Sequence, residues 1–309
     1  MFDGIINVYK EQGYTSFDVV AKLRGILKQK KIGHTGTLDP MAEGVLMVCL
    51  GKATKLVDMI TAKDKEYKAV LRLGITTDTE DISGKVLQED GISPNITKDQ
   101  IESVIMSFVG SYDQIPPMYS AIKKDGKKLY EYARQGIEVE RTPRPVTIFS
   151  IDNINITLPT VSFDVHCSKG TYIRSLCRDI GERLGCGGTM EALVRSHVQS
   201  YDIDDSLKLS QIEELAASKD IEKYILPVDA LLSQYKRYDI LEKHSKYLLN
   251  GNKLYINQMN VHKDTNTCFM EQSLRDKELV RVYKNDEFLA LYEYNKEQNL
   301  FAPYKMFLG

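Results

Sequence analysis

Three side chains in this chain are of types that make and break bonds unaided: Asp39 between Leu38 and Pro40, Tyr67, and Arg174. A lone carboxylate works as a nucleophile or a general base only when it is ionised and held still. A guanidinium beside it favours the ionised form and, through a two-point contact, fixes its direction. Asp39 lies in GHTGTLDPMAEGVLMVCLGKATKL, a glycine-bracketed stretch from Gly33 to Leu56. Each residue also has a plainer reading. Asp-Pro favours turns, Tyr67 fits a core aromatic, and Arg174 fits a surface helix position. The 20 residues from Val19 to Leu38 contain no acid but carry Lys22, Arg24, Lys28, Lys30 and Lys31.

The commoner catalytic signatures are missing. GVLMVCLGKA approaches a phosphate-binding loop, but six residues separate Gly44 from Gly51, and Ala53 stands where Ser or Thr would hold magnesium. GCGGTM places Met190 at the third glycine of a dinucleotide fingerprint. Neither H-E-x-x-H nor the zinc-deaminase pattern occurs. The five cysteines, Cys49, Cys167, Cys177, Cys186 and Cys268, are odd in number and form no C-x-x-C pair. That suggests neither a disulfide framework nor a zinc ribbon, and Cys167 and Cys177, each on an apolar repeat, read as core packing. The expectation is an enzyme using side chains alone, with no cofactor and no metal.

Composition is that of a globular chain, with 42% hydrophobic and 27% charged residues and a net charge of −2. The charge is segregated: seven acids against two lysines between Asp78 and Glu102, and positive clusters at Lys123, Lys124, Lys127 and Lys128 and at Lys169, Arg174 and Arg178. Such segregation makes a basic surface on a nearly neutral chain, as nucleic acid requires. No signal peptide or membrane-length apolar run is visible, so a cytoplasmic protein without a membrane is expected. No exposed heptad announces a partner subunit, so a monomer is expected.

The elements that must position these residues follow from periodicity. GIINVYK reads as a strand, followed by a helix capped by Ser16 with Val19, Leu23, Ile26 and Leu27 on its apolar face. GVLMVCLG reads as a buried strand and ATKLVDMI as a short helix. From Glu66 to Leu73 alternation puts Tyr67, Ala69, Leu71 and Leu73 on one strand face. Thr97 opens a helix ending at Gly110, and strands follow near RPVTIFSI and VSFDVHC. Ile173, Leu176, Cys177, Ile180 and Leu184 mark a helix carrying Arg174 and Arg178 on another face. Ser210 and Glu213 suggest a capping box for one more helix. Beyond Leu232 the pattern becomes β-rich, with a hairpin turning at Asn285-Asp286 and a last strand in LFAPYKMFL.

In order, GHTGTLDPMAEGVLMVCLGKATK, KEYKAVLRLG, PPMYSAIKKDGKKLYEYAR and CSKGTYIRSLCRDIG resemble the segments of the bacterial tRNA pseudouridine synthases of the TruB type. The match runs from Gly4 to Arg195, and the tail more weakly resembles a PUA-like RNA-binding domain. The resemblance implies an α+β fold: a catalytic domain over 1–232 with a mixed, largely antiparallel sheet flanked by helices. An RNA-clasping lobe is inserted at about 114–145, and a small β domain covers 233–309. It also implies roles. Asp39 matches the catalytic aspartate, Tyr67 the tyrosine stacking on the target base, and Arg174 the aspartate's arginine. Leu193 matches a residue lining the uracil pocket, and Tyr172 one near it. His34 matches a histidine that wedges into the T-loop as the nucleotide flips out. Lys123, Lys127 and Lys128 would meet phosphates.

Two positions depart from the family pattern: Glu11 stands where Pro is frequent, and Gln199 where Gly is common. The implied reaction converts one uridine of the tRNA T-loop to pseudouridine. It needs neither redox change nor hydrolysis, in keeping with the missing motifs. A non-catalytic tRNA-binding or folding protein is the alternative; it would keep the basic surface but have no need of Asp39.

Overall fold

The computed structural model describes residues 1–89, 91–262 and 274–308; Cys268 lies outside them. A nine-stranded sheet runs through the first 200 residues or so. Its order is Gly4–Lys10, Glu43–Leu50, Gly188–Val198, Lys65–Leu73, Thr160–Cys167, Arg144–Thr157 and Gly110–Gln114, with two short strands, Ile32–His34 and Tyr201–Asp202, pairing off this path. The pairings are antiparallel except that Gly188–Val198 lies parallel to Glu43–Leu50 at Val194↔Glu43 and Arg195↔Gly44. That single parallel contact brings the Asp39 loop, which leads into Glu43–Leu50, beside the strand carrying Leu193 and Arg195. The crossing demands glycine: Gly44 has φ +103°, and a Cβ there would stand 2.2 Å from the Arg195 carbonyl oxygen.

Alternation on Lys65–Leu73 buries Tyr67, Ala69, Leu71 and Leu73 against the helices Ile173–Leu184 and Lys98–Met106. The helix Ser16–Ile26 covers Gly4–Lys10 and Glu43–Leu50 elsewhere, burying Val19, Val20 and Leu23 together with Ile212 of helix Leu209–Ser218. Both halves of the expected architecture, helices and a largely antiparallel sheet, are present. Cys167 and Cys177 are core residues, as their apolar repeat suggested.

Several local expectations shift. Thr15, not Ser16, caps the first helix: its hydroxyl accepts from the Asp18 amide, and Asp18 returns a bond to the Thr15 amide. Ser16 is thereby free to turn its hydroxyl inward. The next expected helix winds as a 3₁₀ helix over Gly51–Leu56 before becoming α over Val57–Thr61. Gly110 does not end its helix; Lys98–Met106 stops earlier, and Gly110, at φ +113°, opens the edge strand. Helix Leu209–Ser218 is capped through Gln211, whose Oε1 accepts from the Lys208 amide, rather than by Ser210 and Glu213.

Between Gly110–Gln114 and its neighbour Arg144–Thr157 the chain leaves the sheet to make a small hairpin, Lys123–Lys124 with Lys127–Lys128, and a helix, Leu129–Ala133. A second, six-stranded sheet forms a small β domain where the tail resemblance placed one, with the Leu279–Lys284 and Glu287–Asn295 hairpin turning at Asn285-Asp286 as expected. It is welded to the first domain. Leu291 and Phe307 share a core with Val45, Met47, Leu231 and Leu232, and Lys305 Nζ meets Asp58 Oδ1 at 2.6 Å. Among the described residues, no helix is long and apolar enough to cross a membrane.

Candidate active site

The loop carrying Asp39 is clamped on three sides. The Leu38 amide donates to Ser16 Oγ at 2.9 Å, which gives the inward-turned serine its purpose. The Gly13 amide donates to the Pro40 carbonyl at 2.8 Å. Lys10, fully buried, directs its ammonium at the Ala42, Glu11 and Pro40 carbonyls, 2.5, 3.2 and 3.3 Å away. Burial pulls the Lys10 ammonium down to about 8, although Asp39 and Glu43 oppose that shift. Arg195, also buried, donates through Nε to the Val45 carbonyl at 2.7 Å and through Nη2 to Gly36 at 3.4 Å.

Asp39 meets Arg174 through a fork, Nε to Oδ2 at 3.0 Å and Nη2 to Oδ1 at 3.4 Å. This is the two-point contact a directed carboxylate requires. Arg174 is itself caged: Nη1 donates to the Thr79 carbonyl at 3.0 Å, Nη2 to the Tyr119 carbonyl at 2.8 Å, and the Asp81 carboxylate lies 3.6 Å from Nη1. The arginine side chain is 5% exposed, while the aspartate remains 34% exposed. The pair is therefore sealed on the arginine side and open on the carboxylate side. Burial pushes the Asp39 carboxyl above its ordinary value, Arg174 pulls it down and Asp81 pushes it up, with a net upward shift. The arginine orients the carboxylate but does not overcome the cost of desolvating it.

Tyr67 and Leu193 join Leu38, Ala42 and Ile173 in one cluster beside this pair. Burial raises the Tyr67 phenol's pKa, and the positive charge of Arg195 opposes that shift. Tyr172 stands at the start of the Arg174 helix, where its amide donates to Gln114 Oε1 at 2.8 Å and its carbonyl accepts from Gln114 Nε2 at 3.1 Å. The Tyr172 phenol is also raised by burial, close enough to Asp39 and Arg174 to sense both charges. The structure thus gathers Asp39, Arg174, Tyr67, Tyr172 and Leu193.

The resemblance named two further groups. His34 sits on Ile32–His34, half-buried near Arg195, with its pKa lowered by burial and its Nδ1 without a partner among the described residues. Lys123, Lys127 and Lys128 sit on the inserted hairpin; Lys127 and Lys128 lie over the Tyr132 and Tyr130 rings at 5.9 and 5.3 Å. Sequence reasoning missed Lys10, Asp81, Gln114, Arg195 and Ser16. Asp81 was one of seven acids in a stretch weighed only for its charge, and the others act through backbone carbonyls or amides that leave no spacing signature.

Comparison with known proteins identifies related chains. The family model described as TruB family pseudouridylate synthase (N terminal domain) matches residues 24–173, and that described as tRNA pseudouridylate synthase B C-terminal domain matches 174–233. A protein of Lachnoclostridium phytofermentans named tRNA pseudouridine synthase B is 50% identical over 315 residues, covering 99% of this chain and 100% of that one. Its namesake in Clostridium tetani is 47% identical over 295 residues, covering 96% of each. Among solved structures, a Cbf5-Nop10-Gar1 complex superposes with TM-score 0.73 at 26% identity, over 99% of this chain and 85% of that chain. An H/ACA RNP bound to a substrate RNA containing 2′-deoxyuridine gives 0.72 at 24% identity, with the same coverage, which is likeness of fold.

Proposed function

The chain belongs to the TruB family of pseudouridylate synthases, isomerases of uridine in tRNA, and from that premise we propose that Asp39 is its reacting carboxylate, acting on one uridine of the T-loop. The partner is tRNA, met by a monomer in the cytoplasm. The isomerisation breaks the C1′–N1 bond, and its electron pair leaves on N1 of the uracil. The uracil turns, C5 bonds to C1′, the C5 hydrogen leaves as a proton, and N1 takes one up. The product is an isomer, so nothing is oxidised or hydrolysed.

Asp39 attacks C1′ as a nucleophile or takes the C2′ proton as a base; both routes need it ionised and aimed. Aiming is the work of Arg174, whose remaining donors are occupied by Thr79 and Tyr119. Tyr67 and Leu193 hold the detached uracil, with Tyr172 at its edge. Extruding the nucleotide costs a few kcal/mol of unstacking. His34, kept neutral by burial, offsets part of that cost by filling the space left in the T-loop. Lys123, Lys127 and Lys128 take phosphates from the lobe.

The observation that carries this reading is the asymmetric Asp39–Arg174 pair, closed behind the guanidinium and open at the carboxylate. The test is an unmodified tRNA transcript tritiated at C5 of uridine, followed by mapping of the modified position. Tritium release by the native protein at a T-loop uridine, absent in Asp39→Asn with tRNA binding kept, is the expected result. Release by Asp39→Asn at the native rate overturns the assignment.

A further inference from the structure

The neck of the inserted lobe is tied to the core by a buried carboxylate that the chemistry above does not use. Glu80 sits at φ +63°, a left-handed backbone uncommon outside glycine, with a side chain 9% exposed. It accepts from Arg178 Nη1 and from Ser175 Oγ, the latter at 2.7 Å, and Arg141 Nη1 stands 3.7 Å away. Arg141 belongs to the limb by which the chain returns from the lobe. Its Nη1 also donates to the Pro116 carbonyl on the outgoing limb at 3.1 Å. Arg178 Nη2 holds the Ile115 carbonyl at 3.0 Å and the Asp179 carboxylate at 2.6 Å. Both limbs of the neck therefore converge on one junction of two acids and two arginines, anchored on the Arg174 helix.

That junction adjoins the arginine cage. The residues on either side of Glu80, Thr79 and Asp81, face Arg174, and the lobe's own Tyr119 carbonyl takes another of its donors. The cluster reaches both ends of the insertion, at the neck from which the lysine hairpin projects.

We propose that Glu80 is a positioning residue that fixes the lobe's attitude over Asp39 through Arg141, so that the hairpin meets tRNA already aimed. This rests on the RNA-clasping reading of the lobe given above. With the junction loosened, the lobe samples orientations that cannot close on RNA, and apparent affinity falls by the fraction of competent molecules. The chemistry of an RNA once seated is spared.

The experiment uses the full chain as native protein, Glu80→Gln, Arg141→Gln and the double variant, with unmodified tRNA transcript. We expect each single variant to raise KM about tenfold, as for a lobe competent in about one molecule in ten, with kcat within about twofold of native. The double variant should lose less than the product of the two single losses, since both remove the shared Glu80–Arg141 contact. Trypsin should cleave the Lys123–Lys128 hairpin several-fold faster in each variant without RNA, and Arg141→Lys should recover part of the loss. A fall in kcat at unchanged KM, which is what loss of folded protein gives, overturns the proposal. So does a hairpin no more sensitive to trypsin than the native one. If the native protein releases no tritium, the functional reading fails instead, and the trypsin comparison still decides the role of Glu80.

Discussion

The Asp39 loop and the lysine hairpin are both assigned to the same RNA, yet they are built in opposite ways. The loop is held by Ser16, Gly13, Lys10 and Arg195, mostly through its own backbone amides and carbonyls, and its carboxylate, the proposed reacting group, meets a guanidinium whose other donors are taken. The hairpin has two residues in each strand, its lysines are exposed or half-buried, and its ties to the core gather at the neck. Bond-breaking tolerates little misplacement, so its residues are over-constrained. Gripping phosphates tolerates much, because an ammonium is a point charge on a flexible stem. Changes at the first region should therefore appear in the rate at saturation, and changes at the second in affinity.

The largest effect should come from Asp39→Asn, which lowers kcat about a thousandfold or more by removing the reacting group while leaving tRNA binding within about twofold. Its stability consequence runs against its functional one. A carboxyl whose folded pKa is raised costs stability once both states are ionised, above the folded value, and that cost vanishes as pH falls below the unfolded one. At neutral pH the variant should melt at or above the native temperature, as calorimetry will show.

Next in size is Arg174→Lys. A lysine keeps the charge but cannot make the fork or fill the cage, so a loss of about a hundredfold in kcat with little change in KM is expected from misorientation alone. A variant as active as native protein would mean that charge, not direction, is what Asp39 needs.

The triple change of Lys123, Lys127 and Lys128 to Ala sharpens the contrast from the other side. Apparent affinity should fall about tenfold or more at moderate salt, and the dependence of log K on log salt should flatten by about 0.7 for each phosphate no longer neutralised. At saturating tRNA the rate should stay native.

The smallest expected effect is in the pH profile. Activity should rise with pH through a midpoint above the ordinary aspartate value, because burial raises the Asp39 carboxyl. It should sag above about 8, where Lys10 loses the proton that holds the loop. Lys10 binds its proton more weakly folded than unfolded, so between about 8 and the ordinary lysine value its titration favours the folded state as pH rises. The alkaline sag should therefore come without a fall in melting temperature traceable to Lys10, which separates loop positioning from unfolding.

Much of this architecture was legible in residue order. The alternation from Glu66 to Leu73 and the apolar repeat from Ile173 to Leu184 are properties of single elements, and they placed Tyr67 and Arg174 correctly on a strand and a helix start. The family segments then linked Asp39 to Arg174 across 135 positions, where spacing alone says nothing. What stayed hidden is what depends on register or on backbone partners. Arg195 reads as one more cation until the parallel step at Gly44 sets it under the Gly36 loop. Ser16 reads as a cap because Thr15, its neighbour, has the same chemistry and one residue decides which hydroxyl turns inward. Glu80 and Asp81 share an acidic run with solvated neighbours, and only tertiary contact with Arg174, Arg178 and Arg141 tells them apart.

The division between an aimed carboxylate and a compliant grip is tested most directly by single-turnover tritium release with enzyme in large excess, comparing Asp39→Asn with the triple lysine variant. Under saturation, Asp39→Asn should give no detectable release and the lysine variant a native rate. A lysine variant that stays slow however much enzyme is added, or an Asp39→Asn protein that releases tritium at the native rate, would refute that division.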